Sequence, residues 1–243
     1  MNTAKRITVL LAEDHEIVRS GLRSLLEVEK DISVLGEANS GRQALEMTRK
    51  LHPDIIVMDI AMPLLNGVEA TRQILQAVPD TKILILSAHK EDAYVESAMA
   101  AGARGYLLKQ TSFHVLIDAI REVQKGNPFF SPDIARRLKK QRLESPDRKG
   151  QPKIKVTHLS SRELEVLQLI AEGKANKQTA AELGISTKTV EKHRDHLMQK
   201  LDIHDTASLT LYAISVGIIE CTVPLAIIED RKLNSQALRT AAS

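Results

Sequence analysis

Ile55-Ile56-Val57-Met58-Asp59 is a run of four apolar residues closed by a carboxylate. A run this short and this apolar reads as a strand covered on both faces, the kind found in parallel sheets. Four similar runs recur at Ile7–Leu11, Ile32–Leu35, Ile83–Leu86 and Gly105–Leu108. Between and after them lie helix-like stretches at Glu16–Glu27, Gly41–Lys50, Gly67–Ala77, Asp92–Ala100 and Ser112–Lys125. In the first of these, Val18, Leu22, Leu25 and Leu26 recur at helical spacing and predict one apolar face. Five strand–helix repeats imply a doubly wound α/β unit, a parallel sheet with helices on both faces. Ligands of such sheets bind beyond the carboxyl ends of the strands, where Asp59 stands.

The same edge collects further polar residues. Glu13 and Asp14 follow the first strand, Ser87 the fourth and Lys109 the fifth. Carboxylates gathered at one edge repel each other unless a cation joins them. Oxygen ligands of this kind suit Mg²⁺, which takes few carboxylates and keeps several waters. Asp59 would then be a nucleophile, Lys109 a fixed positive charge for a phosphoryl oxygen, and Ser87 a hydroxyl donor to another. Taken singly, each residue has a plainer reading. An Asp or Ser after a strand is commonly a helix cap, and a Lys is commonly solvated. Four strand ends holding the right residue types together form the specific signal.

Leu10-Leu11-Ala12-Glu13-Asp14-His15, Val57-Met58-Asp59-Ile60-Ala61-Met62-Pro63 with Gly67, Leu86-Ser87-Ala88, and Gly105-Tyr106-Leu107-Leu108-Lys109 resemble the receiver domain of two-component response regulators, over residues 5–125. That resemblance implies a flavodoxin-like sheet of five strands in the order 2-1-3-4-5. It implies that a sensor histidine kinase donates a phosphoryl group to Asp59. It also implies that Glu13, Asp14, Asp59 and the carbonyl of Ala61 hold Mg²⁺, and that Ser87 and Tyr106 are the switch pair. Tyr106 has a plainer reading as half-buried packing with its hydroxyl outward.

From residue 156 to 220 the pattern is helical only, with helices predicted at Ser161–Glu172, Asn176–Leu183, Thr187–Leu201 and Thr206–Val216. Gly173, Gly184 and Gly217 stand at or near helix ends as stop signals. Asn176–Leu183, Gly184-Ile185-Ser186 and Thr187–Leu201 read as helix, turn, helix. Ala180, Leu183, Ile185, Val190, Leu197 and Leu201 would face inward, and Lys188, Glu191, Lys192, Arg194 and Asp195 outward. Such a helix suits a major groove. An ordinary helical hairpin with a solvated face is the plainer alternative. Leu159-Ser160-Ser161-Arg162-Glu163-Leu164-Glu165-Val166-Leu167, Ile185-Ser186, Thr189-Val190-Glu191-Lys192-His193-Arg194 and Lys200-Leu201 resemble the LuxR-type helix-turn-helix domain, and with the receiver the whole chain resembles a NarL/FixJ-class regulator.

The resemblance places Glu191, Lys192 and Asp195 at groove-facing positions. It makes Lys177, Thr187, Thr189 and Arg194 candidates for phosphate contact, beside the outward Lys188. Asp195 stands where a basic residue is common and could accept from a cytosine amino group. His193 reads as a packed histidine rather than a metal ligand. The resemblance also implies a dimer contact on the last helix, with Leu209, Tyr212 and Ala213 as candidates, part of that helix being spent on the domain's own core. Double-stranded promoter DNA, a second copy of the chain and a sensor kinase are the expected partners. RNA polymerase is a further candidate.

Charge locates the remaining segments. Residues 131–155 hold 9 basic and 3 acidic side chains, whereas 156–220 hold 7 and 9. The basic surplus therefore sits in an expected linker (128–155), between a receiver over 1–127 and the helical domain over 156–220, and bulk charge says little about DNA. Weak charge predicts weak binding by one copy and gain from pairing. Residues 221–243 lack a clear pattern beyond Val223–Ile228, and most of them are expected to be disordered. With one cysteine, Cys221, no internal disulfide forms. No apolar run reaches the roughly 20 residues of a membrane span, and the first residues lack a signal-peptide pattern. A cytoplasmic regulator that is not an enzyme is the simplest reading.

Three rivals remain. An aspartyl-phosphate phosphatase typically places a second acid two residues after its nucleophile, where this chain has Ala61. A DNA-binding protein with a vestigial receiver would not need the acidic cluster. An RNA-binding protein would want aromatic platforms, and aromatic residues are 2% here.

Overall fold

The computed structural model describes residues 6–137 and 159–219. The first part holds strands β1 (Ile7–Ala12), β2 (Ile32–Ala38), β3 (Ile55–Met58), β4 (Lys82–Ser87), β5 (Gly105–Leu108) and β6 (Phe129–Phe130). They form one parallel sheet in the order β2-β1-β3-β4-β5-β6. The helices between them are α1 (Glu16–Leu26), α2 (Gly41–Leu51), α3 (Gly67–Ala77), α4 (Asp92–Ala101) and α5 (Phe113–Gln124). Alternation along each strand divides the core in two. Leu10, Ile56, Met58, Ile83, Ile85 and Tyr106 pack with α2, α3 and α4 on one face. Val9, Leu11, Ile55, Val57, Leu84 and Leu107 pack with α1 and α5 on the other.

Register places the site. Ala12 pairs with Met58, Met58 with Ile85, and Ser87 with Leu108. Glu13, Asp59, Ser87 and Lys109 therefore leave the sheet at one edge.

Two expectations are corrected. The sheet has six strands rather than five. Phe129 and Phe130 pair with Gly105 and Tyr106, and Ser131 N–H donates to the Tyr106 carbonyl at 3.0 Å. Two residues are too few to show a period of two, so the strand is hidden within the stretch read as linker. Residues 132–137 then turn helical, and Ile134 is buried in the same core as Tyr106. The rest of that stretch, and the tail expected to be disordered, lie outside the described residues. The second correction concerns α1. Leu26 is buried and Leu22 packs partly, but Val18 and Leu25 are exposed, as are Ile17 and Val28. The apolar face is split because only part of α1 meets the sheet.

The second part folds as α6 (Ser161–Ala171), α7 (Asn176–Leu183), α8 (Thr187–Leu201) and α9 (Thr206–Ser215) around Val166, Leu167, Ile170, Leu183, Leu197 and Leu209. The caps explain the boundaries. Ser160 and Glu163 form a reciprocal capping box at the start of α6. Gly184, at φ +62°, takes the left-handed turn between α7 and α8. Ser186 Oγ then accepts from Thr189 N–H and Asp205 from Ser208 N–H, each such cap contributing about 1 kcal/mol.

Candidate functional site

Asp59 is buried at the end of β3. One carboxylate oxygen accepts from Ile60 N–H at 2.7 Å, the other from Lys109 Nζ at 2.9 Å. Lys109 also reaches Glu13 Oε2 at 2.8 Å, and Glu13 is equally buried. Asp14 joins through His15, whose Nδ1 lies 2.8 Å from Asp14 Oδ1 and 3.1 Å from Glu13 Oε1. Glu13, Asp14, His15 and Asp59 each offer a ligand atom within 4.8 Å of the others, and they are the only such group of metal-binding side chains among the described residues. Burial, then the neighbouring Glu13, pushes the Asp59 carboxyl up to about 6, against the pull of Lys109. Burial opposes the Lys109 charge, but Asp59 and Glu13 outweigh it and raise its pKa. Asp14 raises that of His15.

Ser87 and Tyr106 are fully buried, so the half-buried reading of Tyr106 with its hydroxyl outward does not hold. Both grip His89. The His89 N–H donates to Ser87 Oγ at 3.1 Å, and the Tyr106 hydroxyl donates to the His89 carbonyl at 2.7 Å. The His89 ring stacks on Tyr94 with centroids 4.1 Å apart. Gly67, at the start of α3, is dictated by close approach, since a Cβ there would lie 1.9 Å from the Asp59 carbonyl oxygen. A cleft lined by Asp14, His15, Ala61, Met62 and Pro63, and across from them by Glu172, Ile218 and Ile219, opens beside the acidic group.

In the helical part, Lys177, Thr187, Lys188, Glu191, Lys192 and Asp195 are exposed, while Thr189, His193 and Arg194 are half-buried. Two of these side chains already have partners. The Thr189 hydroxyl pairs with Ser186 Oγ at 2.8 Å, and Arg194 donates to Thr206 Oγ1 at 2.5 Å. The dimer candidates divide differently. Leu209 and Ala213 are fully buried in the domain's own core, which corrects their placement at a contact surface, and Tyr212 packs against that core. The large apolar residue that α9 leaves open is Leu211, at 67% exposure.

Residues 9–121 match the response regulator receiver domain, and residues 157–213 match the bacterial regulatory proteins of the luxR family. The transcriptional regulatory protein LiaR of Bacillus subtilis is 40% identical over 85% of this chain and 96% of its own. The response regulator UvrY of Escherichia coli is 38% identical over 87% and 95%. The chain belongs to the two-component response regulators with a LuxR-type DNA-binding domain. A crystal structure of a LuxR-family response regulator from Aurantimonas, 37% identical, matches 57% of this chain and 99% of its own with a TM-score of 0.55. RcsB from Salmonella enterica serovar Typhimurium, bound to promoter DNA in the presence of phosphomimetic BeF₃⁻, matches 86% and 98% at 26% identity and a TM-score of 0.54.

A polar contact joins the regulator's two parts, and no motif announced it. The Gln168 amide on α6 accepts from Asn66 N–H at 2.8 Å and donates to the Met62 carbonyl at 2.9 Å. Glu172, one turn on, accepts from Leu64 N–H at 3.1 Å, and burial raises its carboxyl. Glu165, one turn back, accepts from Gln73 at 2.8 Å and faces Arg42 at 3.9 Å. The partners of Gln168 and Glu172 lie in the loop 60–66 that directly follows Asp59. Leu64 holds a left-handed backbone there, φ +67°, with its side chain against the C-terminal core. Glu165, Gln168 and Glu172 share one helix face at spacings of three and four, which was the available signal.

Proposed function

We propose that Asp59 accepts one phosphoryl group from a sensor histidine kinase and that this event controls how the C-terminal domain engages promoter DNA. The observation carrying the reading is the buried Asp59 carboxylate beside Lys109 and Glu13 at the strand ends. In the transfer, an Asp59 carboxylate oxygen forms a bond to phosphorus as the phosphorus–nitrogen bond of the kinase phosphohistidine breaks, and the released imidazole takes up a proton. Lys109 supplies positive charge for a phosphoryl oxygen, and Ser87 has a hydroxyl to offer another. Glu13, Asp14 and Asp59, hard oxygen donors with a surplus of negative charge, fit Mg²⁺, with the Ala61 carbonyl as a fourth ligand. That ion would neutralise charge on the transferred group. The chain acts once per phosphoryl group rather than as an enzyme, and in the cytoplasm.

Ser87 and Tyr106 both hold His89, so a phosphoryl group that draws Ser87 toward it pulls on the segment leading into α4. On the other side, loop 60–66 carries the change to Gln168 and Glu172. A residue in the left-handed region costs of order 1–3 kcal/mol, and at Leu64 contacts with α6 hold it. Losing those contacts would free the C-terminal part (156–220) from the receiver (1–127). Lys177, Thr187, Lys188, Thr189 and Arg194 then serve phosphate contacts, and Glu191, Lys192 and Asp195 face base edges. A homodimer reads two half-sites through α8. RNA polymerase is a candidate partner of the DNA-bound form.

Incubation with Mg²⁺ and acetyl phosphate should add one phosphoryl group, located on Asp59 by mass spectrometry. Equal labelling of Asp59→Asn would overturn the assignment.

A further inference from the structure

The loop that carries Glu13 and Asp14 has no side-chain cap from His15 at the start of α1. Its backbone is tied elsewhere. Glu13 N–H donates to the Ala38 carbonyl at 3.0 Å on β2. On the opposite side, Arg19 NH1 donates to the Glu13 carbonyl at 2.7 Å and reaches the Asp14 carbonyl at 3.3 Å. Long helical side chains lean toward the helix N-terminus, which brings Arg19 back over the loop. Its Nε lies 3.3 Å from Glu37 Oε2, so β2 fixes the guanidinium from behind. The side chain is 16% exposed, and a guanidinium stays charged at any ordinary pH.

We propose that Arg19 is a positioning residue for the metal site: it clamps the carbonyls of Glu13 and Asp14 so that both carboxylates are held ready for a divalent cation. The inference rests on the reading of Glu13 and Asp14 as Mg²⁺ ligands. Arg19 touches neither the ion nor the phosphoryl group, and it acts through backbone geometry. Arg23 is the built-in control. It shares Glu37, at 2.5 Å, but touches neither carbonyl.

The test uses the full chain and Mn²⁺ as a spectroscopic probe. Titration followed by electron paramagnetic resonance gives the Mn²⁺ affinity, and acetyl phosphate labelling over a range of Mg²⁺ gives the half-saturating concentration. Arg19→Gln should weaken Mn²⁺ binding roughly ten- to a hundredfold, as losses of outer-sphere partners do. It should raise the half-saturating Mg²⁺ in parallel, while the rate at saturating Mg²⁺ stays within about twofold of the parent. Arg19→Lys, which keeps one donor, should recover part of the affinity, and Arg23→Gln should leave it unchanged. Unaltered Mn²⁺ affinity in Arg19→Gln, or an equal loss in Arg23→Gln, overturns the proposal. Should Arg19→Gln unfold, the Arg19→Lys titration decides: parental affinity contradicts the clamp. Failure of the parent chain to bind Mn²⁺ would instead overturn the metal-site reading beneath it.

Discussion

The strand-end site and helix α8 handle charge in opposite ways. At the strand ends Glu13 and Asp59 are buried and share Lys109. On α8, Lys188, Glu191, Lys192 and Asp195 lie open to solvent. Buried charge is sensitive to small displacements, because the surrounding medium screens it weakly. Exposed charge is screened within about 8–10 Å at ordinary salt and gives affinity only when several contacts add. Under the proposed function, one region would register a single added group and the other would gain from repetition on DNA. Between them, Glu165 and Gln168 are buried and Glu172 is half-buried, a polar contact set between the two extremes.

That contrast can be broken at four points of decreasing effect. Gly67→Ala attacks the rigid side, since its Cβ would meet backbone at 1.9 Å. It should cost about 3 kcal/mol, the upper end of overpacking, in urea unfolding of the receiver. Gln168→Ala attacks the join, leaving Asn66 N–H and the Met62 carbonyl without their partner. It should cost about 2 kcal/mol in the docked arrangement and speed proteolysis between the two parts. Lys188→Ala attacks the exposed side. It should weaken DNA binding by a similar factor on every sequence and lower the salt slope by about 1.

Asp31→Asn is the mildest. The Arg121 guanidinium beside Asp31 holds its carboxyl below the usual range, so this stabilisation is present above about pH 4 and fades as pH falls through the lowered value. The pair is largely solvated and screened, so the variant should lose under about 1 kcal/mol at pH 7, and its gap from the parent in urea unfolding should close as pH falls through the lowered Asp31 value.

The strand-end site was legible because strand ends in a parallel sheet converge, so Glu13, Asp59, Ser87 and Lys109 could be placed together from sequence spacing alone. The helix-turn-helix was legible through Gly184, Ser186 and the inward positions. β6 was hidden because Phe129 and Phe130 are too short a run to show alternation. Leu209 and Ala213 were placed at a dimer contact by resemblance, which marks an apolar helix but not which surface covers each of its residues. Gln168 was hidden for the converse reason. A polar residue on a helix reads as solvated until a neighbouring loop is placed against it. Arg19 likewise reads as surface charge until the loop carbonyls it holds are located in space.

The proposed control of DNA binding by Asp59 can be measured. Its most direct test is the affinity for a duplex selected from random sequence, measured before and after treatment with acetyl phosphate and Mg²⁺. Affinity should rise at least about tenfold for the parent chain, as pairing on two half-sites allows, and stay constant for Asp59→Asn. Equal affinity before and after phosphorylation of the parent would contradict the account.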